Sequence, residues 1–121
     1  MIKPAKYVKE QDRQEELESY SILDSLPEKD YDNITAIAAE ICRTPISLIT
    51  LIDTDRQWYK SGHGIPSGLE THRDRAFCAH AINDPNKVMI VQDARLDERF
   101  HDHPSVIGDP HVILRRCPSF E

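Results

Sequence analysis

The stretch "PISLITLID", Pro45 to Asp53, restricts this chain more than any other. Ile46, Leu48 and Ile52 fall on one face of an extended segment and Ile49 and Leu51 on the other, because strand side chains alternate. Apolar character on both faces predicts a central strand covered from both sides. The polar turn "DTDR" follows, and "QWYKSG" reads as the hairpin partner. Ile46 to Asp53 is therefore expected to pair antiparallel with Gln57 to Gly62.

The flanking segments supply helices. From about Lys6 to Leu23 the residues are strong helix formers, with Leu17, Tyr20 and Leu23 as sparse apolar positions. Pro27 in "LPEKD" suits a helix entry, and Glu28 and Asp30 favour its positive end. In that second helix Tyr31, Ile34, Ile37, Ala38 and Ile41 recur at spacings of three and four. Ile34, Ile37 and Ile41 are expected to pack on the sheet, or on Leu17 and Tyr20. The helix should stop at Thr44-Pro45, since the residue before proline is pushed away from helical geometry. Gly62 to Thr71 holds three of the four glycines and reads as a loop. A helix around Ala76 to Ile82, a "DPNK" turn and a "VMIVQD" strand come next, then a loop through "DERFHDHPSVIGDP". The pattern is α+β: an antiparallel sheet with helices on its faces.

At 121 residues the chain is expected to form one domain. A net charge of −6 opposes binding to a phosphate backbone, so no nucleic-acid partner is expected. The N-terminus lacks the apolar core of a signal peptide and no run approaches a membrane span, so no membrane insertion is expected. Cys42, Cys78 and Cys117 are widely spaced with no CxxC pair, which argues against a disulfide framework or a zinc site and for a reduced, cytoplasmic protein.

"RAFCAHAI", Arg75 to Ile82, sets a cysteine and a histidine two positions apart on a helix. Positions i and i+2 diverge by about 200°, so Cys78 and His80 serve neither as a catalytic pair nor as a metal pair. Phe77 and Cys78 read as core, and His80 as pocket wall or a satisfied polar group. "HDH" at His101 to His103 precedes Pro104 in a loop, where such residues are usually solvated rather than metal-bound. Asp93, Asp97 and Arg99 read as residues that tie their loop together through side-chain to backbone bonds and an ion pair. Arg73, between the glycine loop and the helix, is the better functional candidate: its guanidinium can hold an anion bidentately, or form a structural ion pair. Trp58 and Tyr59 point to opposite faces of their strand.

Four blocks in order, "ILDSLPEKDYD", "PISLITLID" followed by "DRQWYKS", "RDRAFCAHAI" and "DARLDERF", resemble a GAF domain of bacterial signalling proteins, of the kind placed ahead of histidine kinases and diguanylate cyclases. The resemblance runs from Glu15 to about Val112. It divides the chain into an N-terminal helical extension (1–14), an incomplete GAF domain (15–112) and an aberrant tail (113–121). It implies a central antiparallel sheet flanked by helices, a small-molecule pocket on one face and a helical edge that makes a homodimer. The ligand contacts it implies are Arg73, His80, Trp58 and Cys78, with no catalytic residue, no metal and an unidentified ligand. Phytochrome-like relatives attach a tetrapyrrole through a cysteine directly followed by histidine; here Ala79 separates the two.

After "GDPHV" such domains continue with a strand like "RFYAGAPL", a further strand and a closing helix. This chain reads "ILRRCPSFE". One back-translation of Val112 to Glu121, read a nucleotide later, gives "LFYAGAPLL", so the last strands and closing helix are expected to be lost to a frameshift. The expected function is regulatory: small-ligand sensing or dimerisation without a catalytic output module. The alternative is a small GAF-like enzyme that reduces free methionine sulfoxide through cysteines.

Overall fold

The computed structural model describes residues 1–113 and the backbone of Arg115–Cys117. The chain divides into two compact units, one of Lys9–Arg73 and one of Met1–Val8 with the residues from Asp74 onward. The class is α+β, as the sequence pattern indicates.

The first unit holds helices α1 (Glu10–Ser19) and α2 (Lys29–Cys42) and strands β1 (Ser47–Ile52), β2 (Arg56–His63) and β3 (Glu70–His72). β1 and β2 form the expected antiparallel hairpin, with Ser47 opposite His63 and Ile52 opposite Gln57. The sheet order is β1-β2-β3. Among the described residues β2 is thus the middle strand and β1 lies at the edge, which corrects the expectation of a central β1. Residues 47–51 of β1 are accordingly only half-buried, and Ile52 alone is fully so. The connection to β3 turns at glycines: a Cβ on Gly62 would lie 2.0 Å from the Ile65 carbonyl oxygen, and Gly64 has a φ of +80° next to the Pro45 carbonyl.

The register slips between Ile49 and Thr50, since Ile49 faces Ser61 and Thr50 faces Tyr59. Lys60 is therefore the extra residue of a β-bulge. The bulge buries Lys60 and Ser61 consecutively, where plain alternation would send one of them outward.

Helix α2 overturns one expectation. Ile34, Ile37 and Ile41 are 57%, 55% and 75% exposed, while Thr35 and Ala39 are the residues α2 buries. The Ser61 hydroxyl is the cause. It donates to Asp32 at 2.6 Å and lies 3.0 Å from the Thr35 hydroxyl. A buried hydroxyl without partners is costly, so the helix turns Asp32, Thr35 and Ala39 to the strand. On a 3.6-residue period that places the isoleucines on roughly the opposite side. Helix α1 is shorter than the expected Lys6 to Leu23 and buries no residue. The expected helical extension over 1–14 is not formed as such, because residues 1–6 are irregular and their main chain bonds elsewhere in the second unit.

The second unit holds α3 (Phe77–Ala81), β4 (Met89–Val91), α4 (Pro104–Ile107) and β5 (Arg115–Cys117). Its core is Phe77, Ala81, Val91, Ala94, Phe100 and Val106, with Cys78 and Met89 packed at its edge. Asp93 accepts from the Arg95 amide and ion-pairs with the Arg95 guanidinium, and Asp97 does the same for Arg99, tying the loop as expected. β5 pairs antiparallel with β4, Met89 opposite Cys117. A strand thus forms within the segment expected to be an aberrant tail. The remainder of that tail, Leu114 and 118–121, lies outside the described residues, as do the expected loss of further strands and of a closing helix.

The orientation of α2 has a direct test. Ile37→Ser should change stability by less than about 0.5 kcal/mol, as at other exposed sites. Ala39→Leu should cost about 1–3 kcal/mol by overpacking. Urea denaturation followed by Trp58 fluorescence measures both, and equal costs would contradict the packing.

Candidate ligand-binding site

The first unit carries a hollow of about 190 Å³ bordered by Ser25, Pro27, Trp58, Lys60, Ser67 and Gly68. Its floor is strand β2, where Trp58 is 4% exposed. Its rim is the turn ahead of α2 and the glycine-containing loop ahead of β3. Gly68, with a φ of +78°, lets that loop fold back so that its N–H donates to the Tyr59 carbonyl at 2.8 Å. Trp58 and the loop residues Ser67 and Gly68 thus border the same hollow.

Lys60 is the charged group of this site. Its side chain is 0% exposed. The ammonium donates to the Ser25 hydroxyl and the Leu26 carbonyl, each at 2.7 Å, and pairs with Glu28 at 2.5 Å. An ammonium has three protons, so all are committed to the protein. The Tyr31 ring lies 5.1 Å away and adds a cation–π contact. A ligand in the hollow therefore meets apolar surface and the indole rather than a free positive charge. Sequence reasoning passed over Lys60. The available signal was a single lysine inside "WYKSG", between residues that a strand would bury.

Arg73, the favoured candidate of the sequence, is buried at 4% exposure. Its Nη1 pairs with Glu10 and donates to the carbonyls of Asp53 at 3.1 Å and Thr54 at 3.4 Å. Its Nη2 is buried and has no hydrogen-bond partner among the described residues. Glu10 also accepts from Arg13 and Gln14, and Arg13 reaches the Ile52 carbonyl at 2.6 Å. Arg73 is thus the inner end of a polar knot that holds α1 on the β1–β2 turn. Burial alone would raise the Glu10 pKa, but the hydrogen bonds from Arg13, Arg73 and Gln14 outweigh it and hold the carboxyl well below the usual range.

Cys78 and His80 lie in the second unit, so the structure does not bring all four sequence-derived candidates together within one unit. Cys78 is half-buried beside the core. His80 is half-buried, its Nε2 lies 3.1 Å from the Ile2 carbonyl, and its ring meets Phe100 edge-on at 5.1 Å. Burial, with the nearby Arg99, lowers the His80 pKa against the opposing pull of the Ile2 carbonyl and Asp97. His103 of "HDH" is buried, accepts from the Ser105 amide at Nδ1 and contacts the Arg75 carbonyl at Nε2, which makes it a helix cap. Among the described residues no group of three or more His, Cys, Asp or Glu is placed to hold a metal ion. None of their helices is long and apolar enough to cross a membrane.

No family model matches the sequence. A cyclic di-GMP phosphodiesterase of Pseudomonas aeruginosa is 36% identical over 103 residues, which is 85% of this chain. The same alignment covers 17% of that protein, so the chain spans less than a fifth of the relative's length.

Two outcomes follow from the polar groups. Lys60→Met keeps the stem but leaves the Leu26 carbonyl without its donor, and should cost about 1–3 kcal/mol in urea denaturation. For Glu10, the depressed folded-state pKa means its contribution is present above the ordinary value of 4.5 and is lost as pH falls below it. Glu10→Gln should therefore lower stability at pH 7 by about 1.5–3 kcal/mol and flatten the decline below pH 4.5. An unchanged acid limb in that variant would remove Glu10 from the knot.

Proposed function

We propose that this chain is a GAF-type regulatory domain of a cyclic di-GMP signalling protein, and that it binds a small molecule in the hollow over Trp58 while the chemistry resides in other domains. The observation that carries the reading is the relative: 36% identity over 103 residues, confined to 17% of a cyclic di-GMP phosphodiesterase. A block of that size is one domain of a multidomain protein, and the large remainder has room for a catalytic machinery. The relative's name carries a phosphodiesterase, so the kinase and cyclase contexts implied by the motif resemblance have no support from it. The order of motif blocks supports the GAF assignment, and the hollow supports the ligand role. A cytoplasmic location belongs to the same reading, through the three cysteines without paired spacing.

Size narrows the ligand. Pockets that take drug-sized molecules measure roughly 300–1,000 Å³, and this hollow measures about 190 Å³. It is too small for a cyclic dinucleotide. A compact, mainly apolar molecule fits, because the Lys60 ammonium is already saturated.

Trp58 is the only tryptophan of the chain and therefore a built-in reporter. Titration with indole and with benzoate, as neutral and anionic probes of suitable size, should give a saturable change in Trp58 emission that is larger for indole. Ser67→Phe should abolish it without lowering the unfolding midpoint. The purified chain should hydrolyse no cyclic di-GMP in the presence of Mg²⁺ or Mn²⁺ and should not turn over free methionine sulfoxide. Turnover of either compound would overthrow the regulatory reading.

A further inference from the structure

Four polar side chains border the hollow over β2: Ser25, Trp58, Lys60 and Ser67. Two of them are committed within the protein. The Ser25 hydroxyl donates to the Ile22 carbonyl at 2.5 Å and accepts from Lys60 at 2.7 Å. The Lys60 protons go to Ser25, the Leu26 carbonyl and Glu28. The other two, the Ser67 hydroxyl and the Trp58 indole N–H, have no hydrogen-bond partner among the described residues. Ser67 is half-buried on its loop, and its hydroxyl can turn to donate or accept. The indole is different on both counts. Trp58 is 4% exposed, so its ring is fixed, and its nitrogen can only donate.

A buried tryptophan nitrogen usually finds an acceptor, and the protein supplies none here. Nor is this nitrogen walled off. Arg73 Nη2 is the one side-chain nitrogen or oxygen among the described residues that is both sealed from solvent and unpartnered. The indole nitrogen therefore keeps contact with open space, and the hollow is the open space that Trp58 borders.

We propose that the hollow takes a compact neutral molecule with one carbonyl-type oxygen on an apolar body, and that the Trp58 N–H receives that oxygen. The inference rests on the ligand reading above and adds what the ligand must carry. A pure hydrocarbon displaces water from the indole N–H and returns no acceptor, and a site with a committed donor rejects such an analogue. A carboxylate fails for another reason. The Lys60 ammonium is saturated and Glu28 stands beside it, so an anion would lose its water without gaining a counter-charge. Ser67 accepts and donates alike and selects little, so the indole is the group that sets specificity.

The test uses the whole chain and two probes of nearly equal shape, acetophenone and α-methylstyrene, in which a CH2 group replaces the oxygen. The chain has one tryptophan, so its proton NMR spectrum has one indole N–H resonance, that of Trp58. Ring-current effects are common to both probes, and the difference between them reports the hydrogen bond. Acetophenone should move the resonance further downfield than α-methylstyrene does and bind roughly 3- to 10-fold tighter. In Trp58→Phe, equilibrium dialysis should find the two probes bound equally. Equal affinity and equal shift in the natural chain would overturn the proposal while leaving the ligand site standing, and that comparison decides even where the variant fails to fold. A preference for acetophenone that survives in Trp58→Phe would give the role to another donor and overturn it as well. Saturation by neither probe, nor by indole, would remove the ligand reading together with this one.

Discussion

The bulge in β2 is the constraint on which the first unit depends. By placing Lys60 as an extra residue, it buries Lys60 and Ser61 side by side. A lysine with no exposed side-chain surface must find acceptors, because an unpaired buried ammonium costs several kcal/mol. It finds them at the entry to α2: Ser25, the Leu26 carbonyl and Glu28. Ser61 fixes the next turn through Asp32 and Thr35. Glu28, Asp32, Thr35 and Ala39 recur at four, three and four, which is one face of a helix. Two adjacent residues of a strand thereby set both the position and the rotation of a 14-residue helix.

That chain of causes explains what the sequence could and could not disclose. The hairpin was legible because the apolar run within Ser47–Ile52, on both faces of an extended segment, and the polar turn after it are local signals. The stop of α2 was legible too, since Pro45 acts on its immediate neighbour, and Arg43 closes the helix with a φ of 50°. The rotation of α2 was not. Its isoleucines have the spacing of a core stripe, and only a partner on another element, Ser61, turns them outward. A bulge leaves no periodic trace either: it is a shift of one residue in a pairing, and β2 reads as an ordinary alternating strand with or without it.

The candidate site divides in the same way. Local charge pairs were readable, because Asp93 with Arg95 and Asp97 with Arg99 lie two residues apart and close their own turns. Arg73 was recognised as a guanidinium with a purpose, but its partner Glu10 stands 63 residues earlier, and no pattern within the sequence joins them. His80 likewise meets a backbone carbonyl 78 residues away. A side chain that bonds to main chain is the hardest kind to foresee, since a carbonyl carries no mark in the sequence of whose it is.

The polar anchoring of α2 also gives the proposed ligand site a route outward. The hollow over Trp58 is bordered by Ser25 and Lys60, the same two residues that fasten the start of α2. A molecule that enters must either leave the Lys60–Ser25 bond intact or displace it, and these two arrangements hold the first turn of the helix differently. If binding favours one of them, occupancy and helix position share a coupling free energy, and each biases the other equally. An apolar anchor would transmit less, because greasy contacts slide and re-pack with small changes in energy. A buried ammonium with three acceptors has few alternative arrangements that satisfy it. Under the proposed ligand role, the saturation that keeps Lys60 from contacting a ligand directly would also tie the state of the hollow to α2, whose outward face carries Ile34, Ile37 and Ile41.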